Sequence, residues 1–167
     1  MKKTPRRSPP RPPAPEPRPA EPVLNWSNRQ RTVPPRVLNL PVAVSVVERA
    51  RSAVAAAERC DSVLRGLSEI SVVLVSDRRI AALHGEFMGD PTPTDVITFL
   101  HGEIVLSAET AQREARQRGL PVAQEIARYV VHGLLHLAGW TDADAGAAAD
   151  MRLIQEKILR RARGCLC

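Results

Sequence analysis

The chain is poor in the residues that build disulfide scaffolds, membrane anchors and stacked-ring surfaces. Of its 167 residues only three are cysteine (Cys60, Cys165, Cys167). So few thiols, odd in number, exclude a disulfide-stapled mini-domain and suit a reducing, cytoplasmic setting. Aromatic residues make up 3%, so extended base-stacking platforms are not expected. No apolar run approaches the roughly 20 residues that a membrane helix needs. No apolar stretch follows the basic start in the manner of a secretory signal. Membrane association is therefore not expected.

Charge and proline are present, but unevenly. Residues 1–22 hold Lys2, Lys3, Arg6, Arg7, Arg11 and Arg18 against Glu16 and Glu21, and so carry +4 of the net +6. Nine of the 15 prolines lie there too. Proline fixes φ and removes backbone donors, and the segment has little to bury, so 1–22 reads as a disordered, extended Pro/Arg-rich tail. It is a solvated extension or a basic arm that touches nucleic acid; its prolines argue against an amphipathic targeting helix. Residues 23–167 are long enough to bury a core and read as a single domain.

Within that domain, strands are expected at 23–30, 69–76, 95–99 and 103–107, the last two joined by Leu100-His101-Gly102 as a hairpin. Helices are expected at 42–59, at 77–87 with Asp77 as cap, at 107–118, at 121–138 and at 143–161. Met151, Ile154 and Ile158 share one face of the last helix. Local strand pairing between helices predicts an α+β fold, a small sheet flanked by helices.

The informative stretch is Val130-Val131-His132-Gly133-Leu134-Leu135-His136-Leu137-Ala138-Gly139-Trp140-Thr141-Asp142. His132 and His136 fall on one face of a helix, one turn apart. Their neighbours are apolar, and burying polar rings without partners costs about 1–3 kcal/mol each. A metal ion bound to both nitrogens would offset that cost. Gly139 permits a sharp exit turn, after which Asp142 can return as a third ligand. Two histidines and one carboxylate with an open position form a catalytic zinc pattern. Histidines at this spacing also occur as ordinary core or surface residues, and Asp142 could instead cap the last helix. The pattern resembles the metzincin peptidase motif, but Gly133 stands where those enzymes place the glutamate that takes a proton from water. Peptide hydrolysis by that route is disfavoured.

His132-Gly133-x-Leu135-His136-Leu137-x-Gly139-Trp140 is similar to the signature of the YbeY-type endoribonucleases, or rRNA maturation factors. Pro93-Thr94-Asp95-Val96-Ile97-Thr98-Phe99 and Gly102-Glu103-Ile104-Val105-Leu106-Ser107 match two further blocks of that family, in order. The resemblance implies a metzincin-like zinc site on a central helix, with one zinc ion. It also implies cleavage of single-stranded RNA in small-subunit rRNA maturation and ribosome quality control, with ribosomal RNA and the small ribosomal subunit as partners. His132 and His136 are carried over as ligands. Asp142 stands where the family has its third histidine, and Asp144 is the alternative if the turn is offset. Met88 stands where the family has an arginine able to hold phosphate; Arg78 or Arg79 could replace it in space.

Weaker candidates remain. His101 and Glu103 near the hairpin, and Glu86, are possible acid/base groups; His84 reads as a surface or core residue, and the cysteines have no coherent metal spacing with the histidines. Arg113, Arg116, Arg118 and Arg128, with Arg160, Arg161 and Arg163, are solvated faces or phosphate contacts that would make RNA binding salt-sensitive. The competing function is a ribosome-associated RNA-binding assembly factor whose metal is structural.

Overall fold

The computed structural model describes residues 21–164. Most of the tail assigned to 1–22, together with Cys165 and Cys167, lies outside the described residues. Glu21 and Pro22 lie within them: Arg51 donates to the Pro22 carbonyl at 2.6 Å and sits 3.4 Å from Glu21.

The apolar, β-branched run of β2 (Glu69–Val75) makes it an inner strand of a four-stranded sheet of order β1-β2-β4-β3. Strands β1 (Val23–Asn28) and β4 (Glu103–Ser107) run parallel to β2, and β3 (Val96–Phe99) closes one edge antiparallel to β4. The expected hairpin is present: Gly102 adopts φ 96° and donates to the Phe99 carbonyl at 2.9 Å. Local pairing explains only β3–β4. The parallel pairs follow from a strand apolar on both faces, which needs neighbours on either side and covering helices above and below. The result is an α+β fold with a small mixed sheet.

Among the described residues six helices surround it: α1 (Pro35–Leu38), α2 (Leu40–Ala56), α3 (Asp77–Met88), α4 (Ala108–Arg118), α5 (Val122–Leu137) and α6 (Ala145–Arg163). A 3-10 turn spans Leu64–Gly66. Side chains alternate across the sheet. Ile70, Val72, Leu74, Ile104 and Leu106 join α2, α5 and α6 in the main core. Val73, Val75, Ile97 and Val105 face the other way, against Ile80 of α3.

Several boundaries move for local reasons. α1 was not expected; it starts on Pro35, whose fixed φ suits a first helical position. α2 ends at Ala56 rather than at 59, because the chain then peels away to meet the end of α5. α6 starts at Ala145 rather than at 143 because Asp144 is its cap, accepting from the Gly146 and Ala147 amides at 2.9 Å. Asp77 does not cap α3. Ser76 does, and Asp77 is the first helical residue.

The Asp77 carboxylate instead ties α3 to α4. It accepts from the Ser107 hydroxyl, from Thr110 Oγ1 at 2.8 Å and from Arg113 at 2.5 Å. Burial pushes its pKa up, but the hydrogen bonds from Ser107, Arg113 and Thr110 outweigh it and hold the carboxyl below its ordinary value. A depressed folded pKa contributes stability that is present above the unfolded value of 3.8 and lost as pH falls through the folded value. Asp77→Asn should therefore cost about 1–3 kcal/mol near neutral pH. In urea titrations the gap from wild type should narrow below about pH 4; a gap constant with pH would refute this.

Candidate metal centre

Helix α5 is apolar almost all round, and most of it is buried. Gly133 lets it lie close on the sheet: a Cβ there would stand 2.8 Å from Thr98 Oγ1 and 3.0 Å from Ile104. Its exit is equally fixed. The Gly139 amide donates to the His136 carbonyl and the Trp140 amide to the Leu135 carbonyl, each at 3.0 Å, a complete Schellman termination. Gly139 has φ 88°, and a Cβ there would meet the Ser62 amide nitrogen at 2.9 Å. The loop after α2 binds the remaining helix carbonyls: Arg59 and Val63 amides donate to Ala138 and Leu137 at 2.9 Å. Trp140 is held by its indole N–H to the Ala57 carbonyl at 2.8 Å, with the Arg59 guanidinium 4.4 Å from the ring centre.

This exit turn aims the site. His132 Nε2 and His136 Nε2 stand 3.0 Å apart, and Asp142 Oδ2 lies 3.8 Å from each. One ligand atom from each of the three lies within 4.8 Å of the others, so the group could hold a metal ion. Each ring has an oxygen acceptor on its other nitrogen: Gln155 Oε1 at 3.2 Å from His132 Nδ1, and the Trp140 carbonyl at 3.1 Å from His136 Nδ1. Those acceptors place the protons on Nδ1 and leave both Nε2 lone pairs facing each other and a carboxylate. Three converging electron-pair donors with no hydrogen among them fit a cation. Burial pushes the His136 pKa down, and the neighbouring His132 pushes it further, against Asp142 and the Trp140 carbonyl. The ring is thus held in the neutral form that a metal needs.

Asp142 is released for this role because Asp144 takes the cap of α6. The alternative ligand, Asp144, is thereby committed to backbone amides. Gln155 escaped the sequence reading. Its signal was a polar residue on the same stripe of α6 as Met151 and Ile158, and it is buried there.

A cavity of about 330 Å³ opens beside His132, lined also by Asp95, Tyr129, Arg118, Arg128 and Arg152. Two of its guanidinium groups are already paired: Arg118 with Glu125 at 2.5 Å, and Arg128 with Glu156. Arg113 is paired with Asp77. These arginines are less free to meet phosphate than their spacing suggests. Glu125 is fully buried, and that burial pushes its pKa up against the pull of Arg118 and Arg128.

The weaker candidates are not brought to this centre. His101 Nε2 lies 3.7 Å from Glu103 Oε2 at a cavity on the opposite face of the sheet, and Arg79 lines that same cavity. Arg79 therefore does not stand in for the missing arginine beside the histidines. Met88 is 63% exposed at the end of α3, and His84 Nδ1 lies 2.9 Å from the Thr92 carbonyl, holding the following loop. Cys60 is a free, exposed thiol. Among the described residues no helix is long and apolar enough to cross a membrane.

A small mixed sheet under a buried helix, with two imidazoles and a carboxylate gathered at that helix's exit turn, defines the class of α+β proteins able to bind a metal ion. The profile of one family, Endoribonuclease YbeY, matches residues 36–163. An Endoribonuclease YbeY of Anaeromyxobacter sp. (strain Fw109-5) is 41% identical over 126 residues, covering 70% of this chain and 62% of that protein. One of Moorella thermoacetica is 36% identical over 135 residues, covering 70% of this chain and 84% of that protein. The solution structure of a Thermotoga maritima protein shares the fold, with a TM-score of 0.55 at 23% identity over 85% of this chain and 90% of that one. The chain belongs to the Endoribonuclease YbeY family.

Proposed function

We propose that the protein is a zinc-dependent endoribonuclease that cleaves single-stranded RNA in the cytoplasm. Its natural setting in this reading is the maturation of small-subunit ribosomal RNA and ribosome quality control, with that RNA and the small ribosomal subunit as partners. The observation that carries it is the convergence of His132 Nε2, His136 Nε2 and Asp142 Oδ2 beside a cavity lined by arginines. Family membership supplies the substrate class. The centre is metzincin-like in its two helix-borne histidines, glycine turn and third ligand. An ion held by these residues supplies Lewis-acid polarisation of a phosphoryl oxygen and activation of water. The chain's own part is positional. Gln155 and the Trp140 carbonyl orient the imidazoles, and Arg152, with what Arg118 and Arg128 can spare from their carboxylates, attracts the phosphate backbone. Gly133 faces the sheet and offers no proton acceptor.

A second reading has specific support. Met88 in place of arginine, and the carboxylate pairs on Arg118 and Arg128, favour an assembly factor that binds RNA with a structural metal. End-labelled single-stranded and duplex RNA, incubated with protein treated with a chelator and then resupplied with zinc, separates the two. The nuclease reading expects cuts in single strands only, lost with chelator and restored by zinc. Zinc-loaded protein that binds small-subunit RNA and never cuts it supports the factor. Cutting that persists without metal overturns the proposal.

A further inference from the structure

The sheet face away from the histidines carries an unexpected grouping. The chain has only two phenylalanines, and neither enters the main core. Phe87, at the end of α3, is 58% exposed. Its ring meets Phe99 edge-on, with centroids 5.1 Å apart, and Phe99 stacks on His101 at 5.4 Å with 26° between the planes. These rings border a cavity of about 340 Å³ whose rim also carries Arg29 and Arg79. Among the described residues neither guanidinium has a carboxylate within ion-pair reach, and the one acidic group of the lining, Glu103, faces His101. Leaving aromatic area in water forgoes the stabilisation that burial brings. A contiguous exposed apolar patch edged by charge marks a binding surface.

Building upon the single-stranded RNA reading above, we propose that this cavity is a second RNA-binding site, taking one unpaired base on the Phe87–Phe99–His101 rings and its phosphate on Arg29 and Arg79. Planar rings beside unpaired cations match a base and its backbone. An acidic peptide would use the cations but would not need the ring array. The platform is preorganised. Phe99 ends β3, and the Gly102 amide fixes the turn that carries His101 by donating to the Phe99 carbonyl at 2.9 Å. The site is separate from the metal centre. Phe99 and Val105 project from one face of the sheet, whereas Thr98 and Ile104 project from the other, towards Gly133 of α5. RNA engaged at both places must pass around a sheet edge; β3 is an edge strand, with Phe99 at this cavity and Asp95, just before β3, lining the one beside His132. The cavity thus acts as an anchor, holding a strand while another part of it reaches the histidines.

The test is fluorescence anisotropy with labelled oligouridylate, using the full chain, Phe87→Ala and Arg79→Gln. Both substitutions are at solvent-facing helix positions, and thermal melts should match wild type. Phe87→Ala should weaken binding by about 5-fold or more, the loss of one base-stacking contact. Arg79→Gln should weaken it several-fold and flatten the salt dependence by about 0.7 in log–log slope. Both losses should persist in a His132→Ala, His136→Ala background, which separates the anchor from the metal centre. In cleavage, Phe87→Ala should raise KM and spare kcat. If wild type binds and cuts single strands but the two variants bind oligouridylate equally well, the anchor is overturned and the nuclease reading stands. If wild type binds no single-stranded RNA at all, both fall.

Discussion

Replacing His132 and His136 together by alanine is expected to strip the protein of zinc and end RNA cleavage. Elemental analysis of wild type should return about one zinc per chain, and the double variant close to none. The reason lies in how few donors the centre has. Among the described residues, two imidazole nitrogens 3.0 Å apart and one carboxylate oxygen form the set, so removing two of three leaves a lone, half-exposed aspartate. Graded variants sharpen the expectation. Asp142→Ala should reduce affinity less than the double variant, because both rings remain. Gln155→Leu touches no proposed ligand atom, yet should cost about 10- to 100-fold in zinc affinity by freeing the His132 ring and its tautomer. The Gln155 variant discriminates best. If its zinc affinity and cleavage match wild type, the hydrogen bond to His132 Nδ1 does not orient a ligand. If the double variant keeps stoichiometric zinc, the metal sits elsewhere.

How far the amino-acid order revealed this arrangement differs from feature to feature. The hairpin, α3, α4 and α5 were legible because each is defined locally: turn residues between β-branched runs, Ser107 before a helix, glycine after one. Both helix-borne histidines were legible for the same reason, since spacing on a regular helix dictates their common face. The parallel pairing of β1 with β2 was not, because it depends on which strands the helices bring together. The cap of α6 shows the limit at finer scale. By sequence Asp142 is open as ligand or cap and Asp144 only as the alternative ligand, and the exit geometry of α5 decides that Asp144 meets the amides while Asp142 meets the rings. Gln155 was hidden by the same long-range geometry, being a lone polar residue in an apolar stripe. The scarcity of aromatics pointed away from extended base-stacking platforms. Composition cannot say that two phenylalanines and a histidine will meet at one place on the surface.

Gly133→Val is expected to cause the largest loss of stability among single substitutions near the centre. By helix propensity alone, leaving glycine should help by about 0.5–1 kcal/mol. The packing says otherwise. A Cβ at 133 would stand 2.8 Å from Thr98 Oγ1 and 3.0 Å from two atoms of Ile104, closer than such atoms settle. Thr98 and Ile104 sit on adjacent strands of a filled sheet, and α5 is pinned at its exit by the loop after α2, so neither side can easily retreat. Overpacking of this kind costs about 1–3 kcal/mol, and the branched valine adds to it. A net loss of about 3 kcal/mol should lower Tm by roughly 6–12 °C for a chain of this size. Gly66→Ala, where no atom lies within 4 Å, should stay within about 0.5 kcal/mol of wild type. A cycle with Thr98→Ala tests the cause. Among the described residues the buried Thr98 hydroxyl has no hydrogen-bond partner, so removing it costs little, and it should relieve Gly133→Ala by at least about 0.5 kcal/mol. Additive losses in that cycle would mean that the close approach of α5 to β3 is not what keeps a glycine after the first histidine.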